Sequence, residues 1–532
     1  MNAFRLSLAA LALSIVSTGA ARAHEEEPGK GKLGKVAFAN SCTAGVQESL
    51  QRAVAMLHSF WYSAGEQTFR EVLAQDPSCA IATWGIASIL MSNPLAGAGA
   101  SPKGAEVSQA MIEQGRRIGA KTQRERDYIE AVAAYYEDWA NRPERARQQA
   151  RSRAYEALAA RYPDDDEAQI FSALYIAGTQ AQSDQTYAAY LKAAAILEKQ
   201  FTRYPDHPGV AHYLIHSYDA PPIARQGLPA AKLYAGIAPA APHALHMPSH
   251  IFTRVGAWTE SAATNARSAE AAVAGGEPDE AYHASDYMAY AYLQLARDGD
   301  ARRTIDAALR VTGTNPARPT APYAAAAMPA RYALERGAWR EAMQLQAQPT
   351  KLLYPEAMTY FARALGAARS GDPDAADKDA EALAAAHKGL LAAKDNYWAN
   401  EVEVQRFAAA AWIALARGRR DEALKLMRAA ADNEDRSEKH IVTPGRVVPA
   451  RELLGDMLME LKEPALALKE YEASQVREPN RFRGMYGAAT AAEAAGDRQK
   501  AAAWFGKLAA QARDADGTRP ELNRAKAYIA LR

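Results

Sequence analysis

A block of thirteen residues occurs twice in this chain, and this duplication constrains the fold more than any other feature. Residues 246–258 and 327–339 share Met, Pro, Gly, Ala and Trp at equivalent positions, with an offset of 81 residues. Such self-similarity indicates a repeat architecture, in which one supersecondary unit stacks on the next. In both copies the proline lies inside an apolar helical pattern, so we expect it to kink that helix by removing a backbone hydrogen bond.

Turn signals at similar intervals divide the rest of the chain into helix pairs. Asp76-Pro77, Tyr162-Pro163-Asp164 and Tyr204-Pro205-Asp206 each precede a segment with apolar residues at i, i+3, i+4 and i+7. Near the C-terminus, Glu478-Pro479-Asn480 leads into Gly487 in the order of a tetratricopeptide (TPR) repeat. Strand signals are almost absent. The sequence therefore predicts an all-α, TPR-like α-solenoid of roughly ten helix pairs.

The first 23 residues have the pattern of a secretory signal peptide. Arg5 supplies the positive charge, Leu6 to Val16 the apolar stretch and Ala21-Arg22-Ala23 the cleavage motif. This stretch is shorter than the roughly 20 apolar residues that span a bilayer, and no later segment is apolar over that length, so no membrane span is predicted. We expect residues 24–39 to form a flexible N-terminal arm, residues 40–532 to form the repeat superhelix, and the mature protein to be periplasmic or secreted.

The chain has two cysteines, Cys42 and Cys79. In an oxidising compartment they can pair, and the disulfide would contribute about 3–4 kcal/mol by closing a loop at the N-terminal repeat. The alternative is two buried free thiols. Neither cysteine belongs to a C-x-x-C motif, so they do not indicate a metal site. A charged segment from Asp432 to Gly445 is predicted to be an exposed connection between helices.

The charge balance narrows the range of partners. The chain has 63 basic and 62 acidic side chains, which argues against nucleic acid as the main partner. The sequence contains no phosphate loop, no nucleotide fingerprint and no G-x-S-x-G elbow, so it does not support nucleotide-dependent or serine-hydrolase chemistry.

Histidines are concentrated in the centre of the chain. Six of the eleven lie between residues 212 and 283, within the histidine-rich part that we assign to residues 207–290. His212 and His216 are spaced i, i+4 and Asp219 follows three residues later, so the three side chains share one face of a helix. His243, His246 and His250 cover a similar arc.

The spacing between the two histidine groups equals one TPR repeat. His212 and His246 are 34 residues apart, and so are His216 and His250. Because equivalent positions on successive inner helices face the same way, the sequence predicts that these four histidines converge. Neutral imidazoles bind Zn or Cu, and Asp219 could be a further ligand or could orient one ring. The predicted metal residues are His212, His216, His246, His250 and Asp219.

Two functional interpretations remain open. The first is a concave groove that binds a peptide segment of a protein partner or a small ligand. Its binding residues would be His243, His283, Asp286, Tyr213 and Arg254. The alternative is a metalloprotein or metalloenzyme whose transition metal is held by histidines of two adjacent repeats. No HExxH motif is present, so a metallopeptidase is disfavoured, and no catalytic residue is assigned.

Several segments carry a resemblance to a known family. They are Leu57–Tyr62, Asp76–Ala80 with Trp84-Gly85, His212–Asp219 and His243–Phe252. Together they resemble a family of secreted bacterial TPR-repeat proteins without established activity. The resemblance covers most of the mature chain and implies the TPR fold and export, but it implies no chemistry. Binding of peptide segments on a concave face is the general expectation for TPR proteins.

Overall fold

The computed structural model describes residues 31–316, 318–348 and 350–531. The predicted signal peptide and residues 24–30 lie outside these ranges. The first half of the described chain contains the helices α1 (Gln47–His58), α2 (Tyr62–Gln75), α3 (Ile81–Leu90), α4 (Pro102–Ile118), α5 (Gln123–Tyr136), α6 (Glu144–Arg161), α7 (Asp166–Ala177), α8 (Ala188–Arg203), α9 (Pro208–Ser217), α10 (Leu228–Ile237), α11 (Pro242–His246), α12 (Pro248–Arg254) and α13 (Trp258–Ala274). The second half contains α14 (Pro278–Gln294), α15 (Asp298–Ala308), α16 (Thr320–Glu335), α17 (Trp339–Met343), α18 (Leu353–Arg369), α19 (Asp377–Ala392), α20 (Asn396–Ala416), α21 (Arg420–Glu434), α22 (Ala450–Glu460), α23 (Pro464–Arg477), α24 (Phe482–Ala494), α25 (Arg498–Gln511) and α26 (Pro520–Ala530).

Consecutive helices pack in pairs, and the pairs stack into a solenoid. The short helices α11 and α12 together take the place of one inner helix, so the described residues form twelve pairs followed by α26. The inner helices contact one another in order, for example α14 with α16 and α16 with α18. Inner helices that are distant in sequence also contact each other, α1 with α9 and α14 with α24. The all-α, TPR-like α-solenoid is thus confirmed, with more pairs than predicted.

Small residues allow the helices of neighbouring pairs to approach closely. The Tyr471 ring of α23 lies between Gly455 of α22 and Gly487 of α24. A Cβ atom added to Gly455 or Gly487 would lie 2.7 Å or 2.3 Å from this ring, closer than van der Waals contact permits. The glycine of the TPR pattern at residue 487 therefore serves helix packing.

The proline of the duplicated block acts differently in its two copies. In the first copy the inner helix is broken at Met247, and Pro248 begins the separate helix α12. In the second copy Pro329 lies inside the continuous helix α16. The predicted kink is thus a complete break in the copy that carries the histidines.

The N-terminal segment is packed against the repeats from residue 31 onward. Cys42 and Cys79 form a disulfide that ties this segment to the turn before α3, as predicted. Leu33 and Phe38 are buried, and the Phe38 ring stacks on Trp84 with centroids 5.0 Å apart. The expectation of a flexible arm is therefore wrong for residues 31–39, because apolar burial fixes them.

Residues 435–449 connect α21 to α22, and we call them the crossing segment. The prediction of an exposed connection is wrong here, because most of its side chains are buried. The backbone N–H of Glu438 donates to Gln182 O (2.8 Å), and its carboxylate accepts from Tyr187 (2.8 Å). Further along, Tyr287 donates to Thr443 O (2.8 Å). The charges of this segment are compensated by protein partners, so it can cross the inner face of the solenoid.

Within the described ranges, no helix combines the length and the apolar character that crossing a membrane requires.

Candidate metal centre

Helix α9 carries the first two histidines of the central cluster. It begins at Pro208, whose fixed φ suits a first helical turn, and the His207 ring caps it by accepting from the Val210 N–H (3.3 Å). His212 and His216 follow one turn apart, with ring centroids 4.9 Å from each other. Both side chains are buried.

The broken inner helix of the next repeat carries three more histidines. His243 and His246 lie in α11, and His250 lies in α12 beyond the break. The Nε2 atoms of His246 and His250 are 3.0 Å apart. His283 on α14 brings its ring centroid to 4.2 Å from that of His246. The six imidazoles thus form one contiguous cluster, and each is between 0% and 6% exposed.

The six imidazoles divide into two groups of three. The first triad is His212, His216 and His243, and the second triad is His246, His250 and His283. Within each triad one ring nitrogen of every member lies within 4.8 Å of the others. Bonds of about 2.0–2.1 Å to one ion place its ligand nitrogens at most about 4.2 Å apart, so small ring movements would suffice for each triad to hold an ion. The triads adjoin, because the rings of His216 and His250 are 5.4 Å apart.

This grouping corrects the one predicted from the repeat register. The register joins His212 to His246 and His216 to His250, whereas the structure groups His212 and His216 with His243. The break between α11 and α12 is the physical reason, because His250 does not continue the helix that carries His243. The ring of His243 lies 5.2 Å from that of His212. His243 and His283, which were predicted as ligand-binding neighbours, are members of the triads.

Four of the six rings are held from outside through Nδ1. The Nδ1 atoms of His212, His243, His246 and His250 lie 2.6 Å from His58 O, 3.0 Å from Glu280 Oε2, 2.7 Å from Asn265 Oδ1 and 2.8 Å from Asp219 Oδ2, respectively. Because all four partners are oxygen acceptors, the proton belongs on Nδ1 and the lone pair on Nε2. Metal-ligating histidines are oriented by outer partners of this kind.

Several nitrogens on the inner side of the rings have no hydrogen-bond partner among the residues that the structure describes. They are His212 Nε2, both ring nitrogens of His216, His243 Nε2 and His283 Nδ1. A polar atom that is buried and unpaired costs about 1–3 kcal/mol. These unpaired nitrogens therefore lower the stability of the folded protein, and no hydrogen bond within the described residues offsets that cost.

Burial favours the neutral form of five imidazoles of the cluster. It lowers the pKa of His212, His216 and His246 well below the usual 6.5. It also lowers the pKa of His250 to about 4 and that of His283 to about 3. Neutral imidazole is the form that coordinates metal ions.

Asp219 occupies an orienting position in the cluster. One of its oxygens contacts His250 Nδ1, the other accepts from Arg254 Nε (2.7 Å), and Lys439 Nζ lies 3.4 Å away. Burial works to raise the pKa of Asp219, but Lys439 and Arg254 hold it well below its usual range. Lys439 comes from the crossing segment, so no local signal in the sequence could connect it with this site. Asn265 of α13 and Glu280 of α14 also lack a local sequence signal that connects them with His246 and His243.

Other residues predicted to bind a ligand are engaged in internal contacts. Asp286 forms a buried ion pair with Arg331 of the second copy. The Tyr213 hydroxyl lies 2.9 Å from His58 Nδ1, and Arg254 pairs with Glu438 as well as Asp219. Their polar groups therefore do not line an open groove.

A nearby group shows what a buried histidine cluster without spare nitrogens looks like. His58 and His207 each place Nε2 on the Glu167 carboxylate, at 2.9 Å and 3.0 Å. Their Nδ1 atoms contact the Tyr213 hydroxyl (2.9 Å) and the Val210 N–H (3.3 Å). All four nitrogens have a protein partner, in contrast to those of the two triads.

Comparisons with known proteins add little to this description. No family model and no curated protein matches the chain. A tetratricopeptide repeat protein from Parabacteroides merdae is 14% identical, with a TM-score of 0.29 and coverage of 55% of this chain and 98% of that chain. Yeast Tom70 is 12% identical (TM-score 0.31, coverage 91% and 88%), and the human IFIT1 dimer with m7Gppp-AAAA is 11% identical (0.36, 78% and 87%). Likenesses this weak carry no functional argument, and the fold assignment rests on the helix pairs.

Proposed function

We propose that this chain is an exported metalloprotein whose central histidine cluster binds a transition metal inside the solenoid. The orientation of the rings is the observation that carries the proposal. Four Nδ1 atoms contact outer oxygens, and the Nε2 atoms of two of these rings, His212 and His243, are buried without a partner in the part of the chain that the structure describes. Histidines that merely fill a core have no need of this arrangement.

The second copy of the duplicated unit supports a functional origin for the imidazoles. Ala324, Ala327 and Arg331 occupy the positions of His243, His246 and His250. The unit therefore forms a helical repeat without histidines at these positions. Donor sets composed of neutral imidazoles suit Zn and Cu among the common transition metals.

The interpretation as an open groove receives less support at these residues. The rings are buried, and the crossing segment lies beside them: Lys439 contacts Asp219, and Thr443 O accepts from Tyr287, whose ring lies 5.1 Å from that of His250. A protein partner would contact other surfaces of the solenoid, as is general for helical repeats. Export is supported by the signal-like residues 1–23 and by the disulfide, which is typical of oxidising compartments.

Metal analysis of the mature protein tests the proposal. Purified protein should contain Zn or Cu by elemental mass spectrometry, or take it up after treatment with a chelator. His246→Ala should lower the metal content, whereas His387→Ala, which removes a histidine of α19 outside the cluster, should not. Circular dichroism of both variants verifies the fold. Wild-type protein that neither contains nor takes up either metal would contradict the proposal.

A further inference from the structure

The number of ligand atoms in the cluster exceeds what one ion requires. Zn and Cu sites in proteins commonly have four ligands, of which three come from the protein when one position stays open. Here six imidazoles divide into two sets of three, each set with ring nitrogens within 4.8 Å of one another. Each triad thus matches the protein share of one open site.

The two triads share the same outer support, although the Nε2 atoms of His246 and His250 lie 3.0 Å from each other, whereas those of His212 and His243 have no partner among the described residues. Each contains two rings that an outer oxygen holds at Nδ1: His212 and His243 in the first triad, His246 and His250 in the second. Each also contains one ring with an unpartnered nitrogen and no such acceptor at Nδ1, namely His216 and His283. This parallel indicates that both triads are built for the same task.

The triads are close enough to act on one ligand. The His216 and His250 rings are 5.4 Å apart, the His243 and His246 rings 5.8 Å, and the His243 and His283 rings 6.5 Å. All three pairs join a member of the first triad to a member of the second. Ions held by the two triads would therefore be neighbours within one buried region.

The charge around the cluster favours ions of low charge. Asp219 and Glu280 are the carboxylates that contact ligand rings, and Asp219 is already paired with Arg254 and Lys439. Two divalent ions would bring four positive charges into a buried region with little negative charge to compensate them, which is costly. Among the metals that imidazole binds, copper has a stable monovalent form.

We infer that the two triads hold a pair of copper ions, one in each triad, with the open positions shared by a small bridging ligand. This inference rests on the proposed function and specifies the metal, its number and the class of ligand. Because the rings are at most 6% exposed and Lys439 of the crossing segment contacts Asp219 beside them, we expect the ligand to be of the size of hydroxide or azide. A peptide or a bulky organic molecule does not fit this site.

Copper titration of metal-free mature protein tests the pair. Cu(I) is added anaerobically in competition with a chromophoric chelator, and the bound copper is counted for the wild type, His216→Ala, His283→Ala and the control His387→Ala. We expect two ions per chain in the wild type and the control, and one in each single-triad variant. X-ray absorption at the copper edge should show a copper–copper distance of about 4 Å in the wild type, and none in the variants.

The possible failures are distinguishable. One bound copper in the wild type would overturn the pair but leave the proposed metalloprotein intact. Two coppers without a copper–copper signal would overturn the shared centre. Uptake of zinc but not copper would overturn the choice of metal. If the wild type binds neither metal, the proposed function fails as well. A variant that loses its circular dichroism spectrum is replaced by His216→Gln or His283→Gln, which keep a polar side chain but remove the imidazole.

Discussion

The two copies of the duplicated block bury different polar groups in equivalent places of one helical unit. In the first copy the inner helix carries His243, His246 and His250, and the nitrogens around them are partly without partners. In the second copy Arg331 takes the position of His250, pairs with Asp286 and donates to Gly445 O (2.8 Å). The same helical unit thus buries a histidine cluster in one copy and an ion pair in the other.

The two copies differ in whether their buried polar groups have partners within the protein. Glu335 of the second copy and Glu452 both pair with the fully buried Arg481, so one cation is shared by two carboxylates. The triads of the first copy have no such internal compensation at their inner nitrogens. The second interior thus holds its charges mainly in ion pairs, whereas the first leaves several ring nitrogens without a partner among the described residues.

The largest effect is expected from breaking the charge network of the second copy. Arg481→Met leaves Glu335 and Glu452 buried without their cation, which should lower the free energy of unfolding by about 3–5 kcal/mol. The loss should be the same with and without metal. Chemical denaturation measures it, with Arg513→Met as the control, because the Arg513–Asp514 pair is exposed. A loss below about 1 kcal/mol would contradict the structural role of this network.

The next effect concerns the carboxylates that pair with equivalent positions of the two copies, Asp219 with His250 and Asp286 with Arg331. Asp219→Asn changes the partner of His250 Nδ1 and should weaken metal binding by about 10–100-fold, since outer partners fix ring orientation. Asp286→Asn removes a carboxylate that pairs with Arg331 and should leave metal affinity unchanged. Competition titration with a chromophoric chelator measures both. Equal losses in the two variants would mean that the effect is a general destabilisation.

Much of the fold follows from sequence patterns. The duplicated block and the turn signals predict stacked helix pairs because each unit must bury its apolar face against the next. Gly487 and the pairing of Cys42 with Cys79 also agree with expectation. The crossing segment was misjudged because its charged residues suggest exposure, and only long-range contacts such as Lys439 with Asp219 compensate them.

The convergence of the central histidines was predictable from the sequence, but their grouping was not. The 34-residue spacing identifies the histidines of α9, α11 and α12. The grouping predicted from it assumes that each inner helix is continuous. The break at Met247 removes that assumption, so His243 joins the first triad and His283 completes the second. The outer acceptors His58 and Asn265 come from other helices, and a local pattern contains no information about them.

The region that leads into the crossing segment should respond to pH. Burial raises the pKa of Glu434 to about 8, so the folded protein binds this proton between about pH 4.5 and 8 while the unfolded chain releases it. Stability should therefore fall as the pH rises through this window, by at most about 1.4 kcal/mol per pH unit. Glu434→Gln should remove this contribution. Denaturation at pH 6, 7 and 8 measures the free energy of unfolding of both proteins. The same decrease with pH in the wild type and in Glu434→Gln would contradict the assignment.

The smallest expected effect tests the comparison most directly, because it is a gain in stability. His216 is buried, and neither of its nitrogens has a partner among the residues described. His216→Leu therefore removes two unpaired polar atoms and puts an apolar side chain of similar size in their place. We expect the metal-free protein to gain about 1 kcal/mol and to lose binding at the first triad.

His58→Leu is the matched control for this gain. It removes a histidine that is equally buried but contacts Glu167 and Tyr213 through its two nitrogens, so it should destabilise the protein. Denaturation of both variants in the presence of a chelator separates the two cases. If His216→Leu destabilised the metal-free protein as much as His58→Leu does, the imidazoles of the first triad would be structural, and the contrast between the two copies would lose its functional meaning.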